Sequence, residues 1–214
     1  MSDITLVSIQ VGGIKTHTLD NGEAWTTAYE KTPVTGAVNV HTLHLEGDDQ
    51  KHKKVHGGVH RAVLAYSVSH YTYWEELLKR ELPYGVMGEN LTIQGLSEDT
   101  VAIGDIYALG DVRLQVSQPR QPCNQISQFL KSPDLHKRVK STGYTGWYLR
   151  VLQEGTIEAG IPVIKLESHH PEWTISRIQR VYGSRRKYAE ESAQLAKIEA
   201  LNPEWREKFA ASST

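Results

Sequence analysis

Two five-residue runs, Asp105-Ile106-Tyr107-Ala108-Leu109 and Val112-Arg113-Leu114-Gln115-Val116, flank the dipeptide Gly110-Asp111. A two-residue glycine turn between β-patterned runs specifies an antiparallel hairpin. The same grammar recurs along the chain. Ile4, Leu6, Ile9 and Val11 read as a first strand, residues 37–45 contain period-2 alternation, and residues 62–66 form a short apolar run. Residues 146–152, the pair Glu154-Gly155 and a run to Leu166 read as a second hairpin. Short strands with regular turns favour a barrel or a sandwich. One helix interrupts them, from about Ser69 to Leu82, with Tyr73, Leu77 and Leu78 on one face and Pro83 at its end.

Beyond Glu167 the pattern changes to helical. Thr174-Ile175-Ser176-Arg177 opens a helix that Gly183-Ser184 breaks, Arg185 to about Leu201 resumes it, and Asn202-Pro203 supplies an N-cap followed by proline at the first helical position. Charge shifts with the pattern: residues 168–214 carry eight Lys/Arg against six Asp/Glu, in a chain whose formal net charge is -1. The expectation is a mixed, β-rich fold, with a β-barrel domain over 1–167 and a small three-helix subdomain over 168–214.

At 214 residues the chain is long enough to bury a core without staples. Hydrophobic residues make up 39% and charged residues 23%, which is globular rather than disordered. A near-zero net charge argues against a nucleic-acid polymer as partner. No stretch has the length of a membrane span and the start lacks a secretory pattern, so a cytoplasmic protein without a membrane partner is expected. A single cysteine, Cys123, closes no internal disulfide and builds no multi-thiolate cluster. A reactive thiol, a lone metal thiolate and an inert core residue all remain open. Cys123 follows Pro119-Arg120-Gln121-Pro122 and precedes an Ile126, Phe129, Leu130 face, which places it in the first turn of a short helix. A helix N-terminus and Arg120 both favour the thiolate.

Two further stretches carry candidate chemistry. In Lys51 to Arg61, the glycines Gly57 and Gly58 allow close backbone approach, and His56, His60 and Arg61 suit an anion such as a phosphate. Lys51 to Lys54 read as a solvated basic loop. The spacing of His56 and His60 would suit a metal pair on a helix, but the intervening glycines argue against that helix. Gly88-Glu89-Asn90 offers a carboxylate and an amide on a tight turn entering a strand, although turns use such residues for their own geometry. There is no phosphate loop ending in Lys-Ser/Thr, no dinucleotide fingerprint and no Gly-x-Ser-x-Gly elbow.

In order, VHGGVHRAVLAYSVSHYTYW, YGVMGENLTIQGL, IGDIYALGDVRLQVSQPRQPC and TGWYLRVLQEG, followed by the late Asn-Pro-Glu-Trp, resemble the MOSC (molybdenum cofactor sulfurase C-terminal) domain in its small bacterial YiiM-like branch. The resemblance covers essentially the whole chain, with His60 standing where relatives usually carry Asp. It implies a β-barrel that binds the molybdenum cofactor, with Cys123 as metal ligand. Lys15 and the loop of His56, Gly57, Gly58 and Arg61 are the implied anchors for the cofactor's anionic group. Asn90 and Glu89 would face the pterin or substrate, and Arg120 would support the cysteine loop. The implied activity is reduction of small N-hydroxylated compounds, including base analogues and hydroxylamines. Glu89 or His56 would be the general acid, and a flavoprotein or small redox carrier the electron donor. A persulfide-bearing sulfur carrier and a cofactor storage or delivery protein are the alternative functions. The resemblance leaves oligomeric state open.

Overall fold

A computed structural model describes residues 4–19, 22–49 and 57–211. Its centre is an eight-stranded sheet built from β1 (Thr5–Val11), β4 (Thr32–Pro33), β6 (Val63–Ser67), β7 (Leu91–Gln94), β8 (Ile106–Leu109), β9 (Val112–Pro119), β10 (Trp147–Gln153) and β12 (Ile164–Glu167). The order is β12-β8-β9-β10-β6-β7-β1-β4, antiparallel throughout except for the parallel pair β6–β7. The sheet curls until its ends meet. Residues 160–163, just before β12, bond to β1: Leu6 N donates to Ile161 O at 3.0 Å and Val163 N to Ile4 O at 2.9 Å. One continuous stretch therefore pairs first with β1 and then with β8, closing the curled sheet into a barrel.

The alternation in β9 shows why these residues choose this arrangement. Val112, Leu114 and Val116 are buried inside, while Arg113 and Gln115 are only half-buried on the outer face. The β8–β9 hairpin turns at Gly110-Asp111 as expected, and Gly110 adopts the positive φ of 58° that a two-residue hairpin loop asks for. The second expected hairpin does not form. β9 runs along one edge of β10 from Trp147 to Gln153 and β6 along the other from Trp147 to Leu149, and the chain beyond Glu154 pairs elsewhere. β11 (Gly155–Ile157) pairs with β5 (Val38–Val40), and β12 pairs with β8. Within the alternating 37–45 segment only β5 is a strand. A separate hairpin, β2 (Lys15–Thr18) with β3 (Ala24–Thr27), lies outside the barrel sheet.

Six α-helices lie among the described residues. α1 (Tyr71–Leu78) follows a 3-10 turn and stops at Lys79, which takes a left-handed φ of 55°, earlier than Pro83 suggested. α2 (Gln125–Phe129) and α3 (Leu135–Thr142) follow the cysteine loop. With α1 they bury Trp74, Met87, Ile126, Leu135 and Val139 in a cluster that also holds Tyr29 and Tyr66. The tail forms α4 (Ile175–Gly183), α5 (Ala189–Leu195) and α6 (Pro203–Ala210). Their caps are the ones the sequence advertises: Thr174 Oγ1 accepts from Arg177 N, and Asn202 Oδ1 accepts from Glu204 N. The tail does not bury its apolar faces alone. Ile178, Val181, Leu201, Trp205 and Phe209 belong to the same hydrophobic cluster as Leu6, Val116 and Trp147 of the barrel. Among the described residues no helix is long and apolar enough to cross a membrane.

Candidate active site

The cysteine loop opens where β9 ends. Arg120, directly after Pro119, anchors its backbone N on Gly146 O at 3.1 Å and turns its side chain inward, leaving it 4% exposed. Its guanidinium makes two long bonds, Nη1 to Thr145 O and Nη2 to Tyr29 Oη, both 3.4 Å. No carboxylate among the described residues pairs with it. Tyr29 and Tyr148 stand beside it, and burial pushes both hydroxyls above the ordinary phenol range despite the guanidinium. At neutral pH they offer Arg120 lone pairs but no negative charge. An arginine does not shed its proton, so a buried positive charge stands here without a carboxylate.

Arg120 forms one wall of a cleft, open to solvent, that is also lined by Tyr29, Lys31, Asp48, Arg61, Leu64, Asn90, Cys123, Gln125 and Tyr148. Cys123 is a half-buried free thiol in that wall. It lies one residue before Asn124, the N-cap of α2, rather than in the helix's first turn. The two prolines hold residues 119–122 out of the helix and delay its start to Gln125. A five-residue helix contributes little dipole, so Arg120 is the main positive charge near the thiol. The opposite edge is tied down by Thr27 Oγ1, which donates to Gln125 Oε1 at 2.5 Å and links β3 to α2.

The other expected site residues distribute unevenly. Arg61 lines the cleft at the end of a 3-10 turn (Val59–Arg61), and its guanidinium donates through Nη2 and Nη1 to both oxygens of Glu204 on α6, at 2.5 and 3.3 Å. Asn90 lines it too, yet its amide is engaged in framing. Nδ2 donates to Asp48 Oδ2 at 2.9 Å and to Gln10 O at 3.3 Å, while Oδ1 accepts from Leu64 N at 3.0 Å. Glu89 is fully buried behind the wall. Its Oε1 accepts from Tyr71 Oη, from Gly85 N at 2.9 Å and from Thr92 Oγ1 at 3.0 Å, and it does not line the cleft. Lys15 is on β2, half exposed and paired with Glu30 at 3.1 Å, away from the cleft lining. Gly57 and Gly58 lead into the 3-10 turn without lining the cleft. His56 lies outside the described residues, as do Lys51 to Lys54. His60 turns toward the tail, where burial first, then Arg150 and Arg61, hold its imidazole below the ordinary histidine pKa.

Sequence reasoning missed Lys31, which lines the cleft beside Arg61 and Arg120. Lys31 Nζ pairs with Asp48 Oδ1, which also accepts from Gly12 N at 2.9 Å, and both side chains are almost wholly buried. The only local hints are a lysine just ahead of the Thr32-Pro33 strand and the Gly47-Asp48 turn, neither of which names a partner. Tyr29 and Tyr148 were missed for the same reason. Among the described residues no three His, Cys, Asp or Glu side chains converge to hold a bare metal ion, so the cleft's soft donor is the single thiol.

Comparison with known proteins places this architecture in context. The MOSC domain model matches residues 52–164. YflK of Bacillus subtilis is 35% identical over 206 residues, covering 96% of this chain and 92% of its own length. A Gibberella moniliformis protein named a reductase is 38% identical over 184 residues, 84% of this chain but 32% of that protein. The crystal structure of YiiM from Geobacillus stearothermophilus is 38% identical and superposes with a TM-score of 0.84, covering 99% of this chain and all of that one.

Proposed function

Since the chain belongs to the MOSC domain family, we propose that the cleft holds a pterin-based molybdenum cofactor and that the protein uses it to reduce N-hydroxylated compounds to amines. The observation that carries this reading is Arg120. A buried guanidinium without a carboxylate destabilises the protein unless an anion joins it, and sites built to bind charge accept that cost. Lys31 and Arg61 already have Asp48 and Glu204, so Arg120 is the position with charge to spare. The donor set fits the group. The Cys123 thiol is a soft ligand of the kind that suits a dithiolene-bound metal, and Tyr29, Tyr148 and Leu64 present flat apolar surface beside polar rims.

When bound, the cofactor would supply the two-electron redox centre for a reaction that balances as R–NH–OH + 2 electrons + 2 protons giving R–NH2 + H2O. The chain's part is to hold, orient and protonate. Cys123 would ligate the metal and Arg120 would neutralise the cofactor's anionic group. Lys31 is our choice of proton donor among the groups that line the cleft, and Asp48 fixes its ammonium there. It takes the general-acid role expected of Glu89, whose carboxylate is buried behind the wall and does not line the cleft. Electrons come from a partner flavoprotein or small redox carrier.

The test is to purify wild type and Cys123→Ala from a host that makes the cofactor, measure molybdenum and pterin, and assay an N-hydroxylated purine with a chemical electron donor. Wild type should carry both and produce the amine, and Cys123→Ala should lose the metal and at least a hundredfold in rate. Wild type without either, but with a persulfide on Cys123, sinks the reductase reading in favour of a sulfur carrier. A loaded protein that reduces no N-hydroxylated compound points instead to storage or delivery.

A further inference from the structure

The Asn202-Pro203-Glu204-Trp205 segment sits at the start of the last helix, yet it touches the two chain segments that bring Arg120 and Arg61 to the cleft. Asn202 N donates to Ser117 O at 2.9 Å, and its Nδ2 donates to Gln118 Oε1, two residues before Arg120. Ser117 Oγ in turn donates to His60 O at 2.6 Å, pinning the 3-10 turn that carries Arg61. Asn202 also caps α6, and Trp205 is buried with its ring centroid 4.5 Å from that of Tyr182. The backbone of Glu204 is therefore held from both sides. From that base its carboxylate meets the Arg61 guanidinium fork to fork. The Arg61 side chain is 12% exposed and that of Glu204 52%.

We propose that Glu204 is a positioning residue of the cleft: it fixes the plane of the Arg61 guanidinium in the wall, which makes the C-terminal helix a working part of the anion site. This rests on the reading of the cleft as an anionic-cofactor site. A long side chain with a planar head needs a bidentate partner to hold one orientation, and a carboxylate matches that fork. An ordinary half-exposed ion pair would do little; this one differs because its arginine lines the cleft. The proposal also separates positioning from plain electrostatics. Deleting a negative charge beside an anion site should tighten anion binding, whereas releasing Arg61 should weaken it.

The experiment purifies wild type, Glu204→Ala, Glu204→Gln, Arg61→Ala and the double alanine variant from a host that makes the cofactor. Bound pterin is read by fluorescence after oxidation, with Tm alongside. Positioning predicts roughly fivefold less pterin in Glu204→Ala. It also predicts a partial recovery in Glu204→Gln, and a double variant no worse than Arg61→Ala. More pterin in Glu204→Ala, or losses that simply add in the double variant, overturns the proposal. Should Glu204→Ala fold poorly, the isosteric Glu204→Gln carries the comparison, and wild-type loading in it overturns the proposal. If wild type itself carries no pterin, the cofactor reading fails, and positioning is judged on the NMR signal of the Arg61 guanidinium, assigned with Arg61→Ala. That signal must broaden in Glu204→Ala, and an unchanged signal overturns the proposal.

Discussion

Gly88 shows how closely single residues set the cleft. Its φ is +83°, and a Cβ there would stand 2.8 Å from Tyr29 Cε2. Gly88→Ala should cost about 1–2 kcal/mol for the left-handed backbone alone and should also push Tyr29 out of the wall beside Arg120. Thermal unfolding and pterin uptake should therefore fall together, and a variant that loses stability while loading normally would separate Tyr29 from the site. At this scale the sequence was partly legible. Cys123, Arg120 and Arg61 sit in short, glycine- or proline-marked segments whose local geometry can be argued from neighbours. Lys31 and Asp48 could not be found that way, because each is ordinary until the fold brings residues 31 and 48 together. Glu89 was readable as special but not as buried, since a carboxylate at a turn looks the same whether it faces a ligand or Tyr71.

Among the elements, the seam between the barrel and α6 has two titrating members, both of which withdraw stability as pH falls, over different ranges. Arg61 holds the Glu204 carboxyl below its ordinary value, so the pair's contribution is present above about pH 4.5 and is lost only as pH falls through the lower folded value. His60 acts at higher pH. Its folded pKa is below 6.5, so as pH drops under 6.5 the unfolded chain takes up a proton that the folded protein refuses, and stability declines. His60→Asn should flatten the fall of Tm below pH 6.5 relative to wild type; parallel curves would show that His60 does not titrate as placed. A third expectation concerns the cap. Asn202→Ala removes the α6 cap and strands the buried Gln118 oxygen, which should cost about 1–3 kcal/mol in denaturant unfolding, and a loss under half that would mean the cap is dispensable. Elements with local punctuation were legible: the Gly110 hairpin and the Thr174 and Asn202 caps. What was missed depends on distant partners. Two strands close in sequence suggested a hairpin, but the chain after β10 pairs instead with β5 and β8, partners distant in sequence. α3 carried its own signal, Leu135 and Val139 on one face with Gly143 after its end, in a stretch otherwise crowded with charge.

For the whole molecule, the sequence boundary near Glu167 marks a change of secondary structure within one hydrophobic core. Trp173, Ile178 and Trp205 share that core with the barrel, so a 1–167 fragment should expose it and show no cooperative unfolding transition. A fragment that melts cooperatively near the full chain's Tm would establish an independent barrel. Barrel closure by residues 160–163 was beyond sequence reading, because it joins positions separated by nearly the whole chain.

The central claim is that Arg120 is buried without a carboxylate in order to receive an anion. Arg120→Met separates structure from function, since it keeps much of the side chain's bulk and removes its charge. The account predicts a ligand-free protein with a Tm at or above wild type and, after purification from a cofactor-making host, little or no bound pterin. A variant that is less stable than wild type yet carries wild-type pterin would contradict it, and would make Arg120 a structural residue of the loop.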